Sequence, residues 1–178
     1  MRWSVLMFVT LVSLISRAAE PGRKLDAVLA TSEGKPTTLS AYYGKPTLLF
    51  YEDPDSLAIN QASKAELARL SAKLGLAQRL TVVGVCDLRP LNWQPALFFA
   101  LLVVRGEEQK ARIPVLVDLT GQLERAPWNL SAKKSSVVLL SSEGELRFES
   151  QGPMSAETFA RLVVELTRAL APPAEAAR

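Results

Sequence analysis

The sequence predicts a single α/β domain, a sandwich built on a central mixed sheet with a parallel βαβ half and a C-terminal β-hairpin plus helix. Three observations carry this. Short apolar runs at 47–51, 80–86 and 115–118 are separated by stretches of helix length, the pattern of parallel strands joined by crossovers. Two further runs, 137–141 and 145–149, flank Ser142, Glu143 and Gly144, a hairpin signature that adds an antiparallel edge. A last amphipathic segment follows, with Phe159, Leu162, Val163, Leu166 and Leu170 at helical spacing.

Residues 25–44 are turn-rich, with Ser32, Glu33, Gly34 and Lys35 as the best turn, and read as a short hairpin leading into the domain. The run 47–51 is apolar throughout, as a strand buried on both faces is, and ends in Glu52, Asp53, Pro54 and Asp55. A helix should follow, capped by Asp55 or Ser56 and stopped by Gly75. Ile59, Ser63, Leu67, Leu70 and Leu74 form its apolar stripe, while Lys64, Arg69 and Lys73 point away. Pro95 opens a second helix running to about Lys110. Ser155 caps the last helix and Pro172 and Pro173 stop it.

The first 18 residues read as a signal peptide: Arg2 is the positive start, 3–15 the apolar core, and Ser16 and Ala18 the small residues before a cut. The domain is then 19–178, with its core at 25–171, and the expected location is periplasmic or secreted. Thirteen apolar residues rise only about 20 Å as a helix, short of a hydrocarbon core, so no permanent membrane span is expected. Basic and acidic residues nearly balance, 21 against 18, and supply no footprint for nucleic acid. The chain has no histidine, which excludes Ser-His and Cys-His nucleophiles and imidazole metal sites. Its one cysteine, Cys86, excludes an internal disulfide and a C-x-x-C pair.

Several stretches resemble the thioredoxin and peroxiredoxin superfamily. Residues 33–40 and 43–51, with Gly44 and Lys45 ahead of the strand, look like the redoxin opening; 80–87, 113–121 and 135–144 are similar to its later core strands and hairpin. The resemblance spans 25–170 and implies a thioredoxin-like sandwich. It also implies where a redox site belongs, at the start of the helix after the first core strand, facing a cis-proline. Those positions hold Asp55, Ser56, Leu57 and Ala58, and the count back from Gly144 puts Ser135 at the proline. A carboxylate cannot attack a disulfide or peroxide as a thiolate does.

The remaining candidates for chemistry or binding are few. Cys86 ends a buried strand and reads as an inert core thiol, or alternatively as a solitary reactive one. Glu52, Asp53 and Asp55 are dense at a strand end, where open α/β sheets bind ligands; a solvated loop with a capping aspartate is the plainest reading. A weak divalent-cation site and an Asp-x-Asp phosphatase motif using Asp53 and Asp55 are the alternatives, and no metal or cofactor is expected. Residues 96–104 are apolar all round, hence either a helix deep in its own domain or one covered by a protein partner or a second copy of the chain. Phe98, Phe99 and Trp93 would contribute, with Trp128 framing the same region. Together these features predict a non-catalytic binding or assembly module of the bacterial envelope, with a thiol oxidoreductase or one-cysteine antioxidant using Cys86 as the rival.

Overall fold

Pairing starts where the turn chemistry predicts. Strand β1, Val28–Thr31, runs antiparallel to β2, Pro36–Thr38, and the chain then reaches β3, Thr47–Glu52, every residue of which is buried. Helix α1, Gln61–Leu74, leads to β4, Thr81–Asp87, and helix α2, Ala96–Ala111, to β5, Val115–Asp118. Strands β3, β4 and β5 are parallel. Strands β6, Ser136–Leu140, and β7, Leu146–Gln151, close the far side as an antiparallel hairpin, and α3, Ala156–Leu170, ends the fold. The computed structural model describes residues 22–171. The expected leader lies outside them.

The seven strands form one sheet in the order β2-β1-β5-β4-β3-β6-β7. Period-two alternation sorts its two faces. Leu48, Phe50, Val137 and Leu139 pack with Leu67 of α1 and Leu162 and Leu166 of α3. Ala30, Val117 and Cys86 lie on the same side, in register with Glu52, and pack with Val104 of α2. Two successive right-handed crossovers in one direction put α1 and α2 on this one face. The opposite face carries Leu49, Tyr51, Val83, Val85, Val138 and Leu140, and is covered by the N-terminal segment and the irregular stretch 119–135. Trp128 is the largest side chain there, its Nε1 donating to the Asp26 carbonyl at 3.0 Å.

Two helix ends follow the expected chemistry and one does not. Ser155 Oγ accepts the Thr158 amide at 3.1 Å, and Gly75 ends α1 in the left-handed conformation. Helix α1, however, begins at Gln61, with Asn60 as N-cap in place of Asp55 or Ser56. Asp53 and Ser56 bond one another reciprocally and fold 53–56 into a turn of its own. The late start moves Ile59 out of the apolar stripe, and Ile59 and Leu74 are exposed.

At the β6–β7 turn Gly144 has φ +85°, and a Cβ there would lie 2.2 Å from the Tyr43 ring, whose hydroxyl donates to the Leu25 carbonyl. Gly152 has a similar φ, +94°, with nothing within 4 Å of a Cβ. Gly152→Ala should therefore lose only the conformational cost, about 1–3 kcal/mol. Gly144→Ala should lose more, because the ring must also move. Urea midpoints of the two variants check the ordering, and equal midpoints would contradict the packing of Tyr43 on the turn.

Candidate functional site

The C-terminal end of β3 brings together residues far apart in the chain. Glu52, the last residue of the strand, is buried, and a buried carboxylate needs its charge and lone pairs met. Its Oε1 accepts from Ser135 Oγ at 2.5 Å and its Oε2 from Lys64 Nζ at 2.6 Å. Lys64 also donates to the Leu57 carbonyl at 3.2 Å and lies 5.7 Å from the centre of the Phe50 ring. The expectation that Lys64 points away from the core is thus corrected. Lys64 precedes the buried Leu67 by three residues and so shares its face of α1, from which it reaches the strand end.

Ser135 immediately precedes β6 and is completely buried, with φ +54°. A non-glycine residue in that region is strained and persists only where its surroundings hold it. Asn60 does much of the holding. Its Nδ2 donates to Ser135 Oγ at 2.9 Å and to the Gly152 carbonyl at 3.1 Å, while its Oδ1 accepts the Met154 amide at 2.9 Å. One amide side chain therefore joins the start of α1 to β6 and to the loop before α3. Asn60 was not singled out from the sequence. Asparagine just ahead of a helix reads as an ordinary cap, although its side chain makes no cap bond here.

The loop positions divide sharply. Ser56 is buried, and its Oγ donates to the Ala132 carbonyl at 2.7 Å. Asp55, Leu57 and Ala58 are exposed. Asp53 is buried, with Oδ1 accepting the Ser56 amide at 2.8 Å. The reading of Glu52 and Asp53 as a solvated loop is therefore overturned: both carboxylates are inside, engaged by named donors. The phosphatase motif fails with it, since Asp53 closes a turn and the sheet carries an antiparallel hairpin. Among the described residues, no buried side-chain nitrogen or oxygen lacks a hydrogen-bond partner, and no group of three or more Cys, Asp and Glu side chains is gathered for a metal ion.

Cys86 is next to last in β4 and half-buried. It lines a groove of ≈ 330 Å³ between α1 and α2, together with Phe50, Glu52, Lys64, Gly84 and Val115. Burial pushes its thiol up to about 12, with the nearby charges of Asp87, Asp53 and Glu52 adding to the shift. A thiol in that range is almost wholly protonated at neutral pH and is a poor nucleophile.

Helix α2 is not the deeply buried element that its composition allows. Only Val104 is fully buried, whereas Phe98 and Phe99 are 56% and 61% exposed, and Leu102 and Val103 are 48% and 65% exposed. Trp93, just ahead of the helix, is 59% exposed. Trp128 does not frame the same region, because it is buried across the sheet.

No protein-family profile and no curated protein matches the sequence. Solved structures do match the fold. One described as a thiol:disulfide interchange protein DsbE from Chlorobium tepidum superposes with a TM-score of 0.62 at 18% identity, over 86% of this chain and 100% of that one. A thiol peroxidase from Chromobacterium violaceum gives 0.57 at 13% identity, over 84% and 87% of the two chains. An exposed lipoprotein thioredoxin from Streptococcus pneumoniae gives 0.56 at 23% identity, over 79% and 99%. Each superposes over most of both chains, and the chain, a mixed seven-stranded sheet with three α-helices, has the thioredoxin-like fold.

Proposed function

We propose that the protein is a non-catalytic thioredoxin-fold binding or assembly module of the bacterial envelope, exported by its N-terminal segment. The observation that carries this reading is the Glu52–Ser135–Asn60 network. The superfamily resemblance implies a thiol at 55–58 facing a cis-proline at 135; 55–58 hold no cysteine, and Ser135 instead faces the carboxylate of Glu52, both engaged by bonds that join separate elements. A reactive site keeps a group free to engage a substrate. Here Glu52 is met by two donors, and Asp55, at the degenerate motif, is exposed. Binding is left to the exposed apolar side of α2, with Trp93, Phe98 and Phe99 as contact residues for a protein partner or a second copy. Export is supported by the leader-like 1–18; among the described residues no helix is long and apolar enough to cross a membrane.

A second reading has one observation in its favour: Cys86 lines an open groove, in a fold whose solved neighbours include a thiol peroxidase. A one-cysteine antioxidant would use it there. Against that stands the upward shift of the thiol.

Three outcomes are expected. The purified protein should neither reduce insulin disulfides nor consume peroxide at the expense of dithiol above the buffer rate; turnover abolished by Cys86→Ser would establish the antioxidant reading instead. Alkylation of Cys86 by iodoacetamide at pH 8 should run about two to three orders of magnitude slower than that of a free thiol, because the thiolate fraction falls with each unit of upward shift. The rate should still be rising with pH at pH 10, and a plateau near pH 7 would mean an activated thiol. Asn60→Ala should cost roughly 1–3 kcal/mol of stability, since it leaves the buried Ser135 and Met154 groups short of partners. A urea midpoint unchanged in that variant would remove the structural role given to the network.

A further inference from the structure

Gly106 lies in the interior of α2, where glycine weakens a helix relative to alanine. Among the described residues nothing beyond its own helix turn asks for it: a Cβ there would meet no such atom within 4 Å. At 100° per residue from the buried Val104, the outermost line of the helix runs through Phe99, Leu102 and Gly106. Phe99 is a projecting ring, fixed by an edge-to-face contact with Phe98 at 5.6 Å between centroids. One helix face thus carries a knob and, seven residues or about 10 Å on, a notch.

Resting on the assembly reading above, we propose that the partner of α2 is a second copy of this chain, with the two α2 helices packed antiparallel about a two-fold axis between Leu102 and Val103. In that register Phe99 of each copy enters the notch at Gly106 of the other. Leu102 meets Val103 at the centre, Arg105 stands level with Ala100, and Glu107 with Phe98. No like charges are brought together. A parallel arrangement would instead stack Arg105, Glu107 and Lys110 each on its own copy and leave the two notches facing as a void. The half-exposed Trp93, Phe98, Phe99, Leu102 and Val103 offer roughly 400–500 Å² of apolar surface, taking about 200 Å² for a whole aromatic side chain. That forms the centre of an interface needing about 800 Å² per partner, and the charged end of α2 supplies part of the rim.

The test is the mass of the full chain, expressed with its own N-terminal segment, by light scattering at concentrations up to about 100 µM, where an interface at the small end of the size range is populated. The expected result is a dimer for the natural sequence. Phe99→Ser and Gly106→Leu should each weaken association at least tenfold or so while circular dichroism stays unchanged. The double variant Phe99→Ala, Gly106→Phe should restore the dimer, because knob and notch trade places under the two-fold. A monomeric natural chain, or a Gly106→Leu chain that dimerises as before, overturns the proposal, as does failure of the double variant to reassociate. A monomer that sediments with phosphatidylglycerol vesicles overturns it in favour of a lipid-facing patch. Thiol or peroxide turnover would overturn the non-catalytic reading and leave the dimer untouched, so the two failures are distinguishable.

Discussion

The hydrogen bond from Ser135 to Glu52 ties the start of β6 to the end of β3 across 83 residues of chain, and the arrangement of this end of the molecule follows from it. An unpaired carboxylate buried at this depth would cost several kcal/mol. Lys64 on α1 meets one oxygen and Ser135 the other, so the position of α1 and the strained backbone of Ser135 are set by the same charge. Asn60 then links both to the loop ahead of α3. The helical face of the sheet is thereby closed at one end by polar bonds and along its length by apolar packing.

That constraint bears directly on what the protein can do. Thiol chemistry on this fold would need a low-pKa sulfur at the helix start and a partner surface left open for the substrate. Here the helix start is displaced to Gln61, the preceding loop is folded back on itself through Asp53 and Ser56, and the sulfur is a strand further into the sheet. The groove beside Cys86 is walled largely by apolar side chains and lies among carboxylates that oppose a thiolate. What is open among the described residues is the outer side of α2, where the aromatic pair Phe98 and Phe99 is exposed and a Cβ at Gly106 would meet no neighbour; the proposed dimer would give both a use.

Local physics was enough for the elements themselves. Val115–Asp118 is read correctly because a four-residue, largely apolar run bounded by Pro114 and Gly121 is of strand length and too short for a helix. Ser155 is read as a cap because a serine ahead of an amphipathic run satisfies an amide at once, and Gly144 marks its hairpin because the turn needs a positive φ. The superfamily resemblance, carried by order and spacing, anticipates a fold that is then found in solved structures at 18% identity. The absence of histidine and of a second cysteine excludes whole classes of chemistry from composition alone.

Tertiary structure decided the rest, wherever a residue's fate depends on a partner distant in the chain. Glu52 and Asp53 look like solvated acids until Lys64, Ser135 and Ser56 are brought to them. Asn60 resembles any cap until its amide is found bridging two loops that begin some 75 and 92 residues away. Trp93 and Trp128 are the same residue type in similar company, yet one is exposed and the other buried, since only the packing of 119–135 against the sheet distinguishes them. The run 96–104 shows the division most plainly: Pro95 ahead of it and the helix-length stretch to about Lys110 point to a helix, but nine apolar residues in a row give that helix no inner side, and the crossover from β4 to β5 chooses which side faces the sheet.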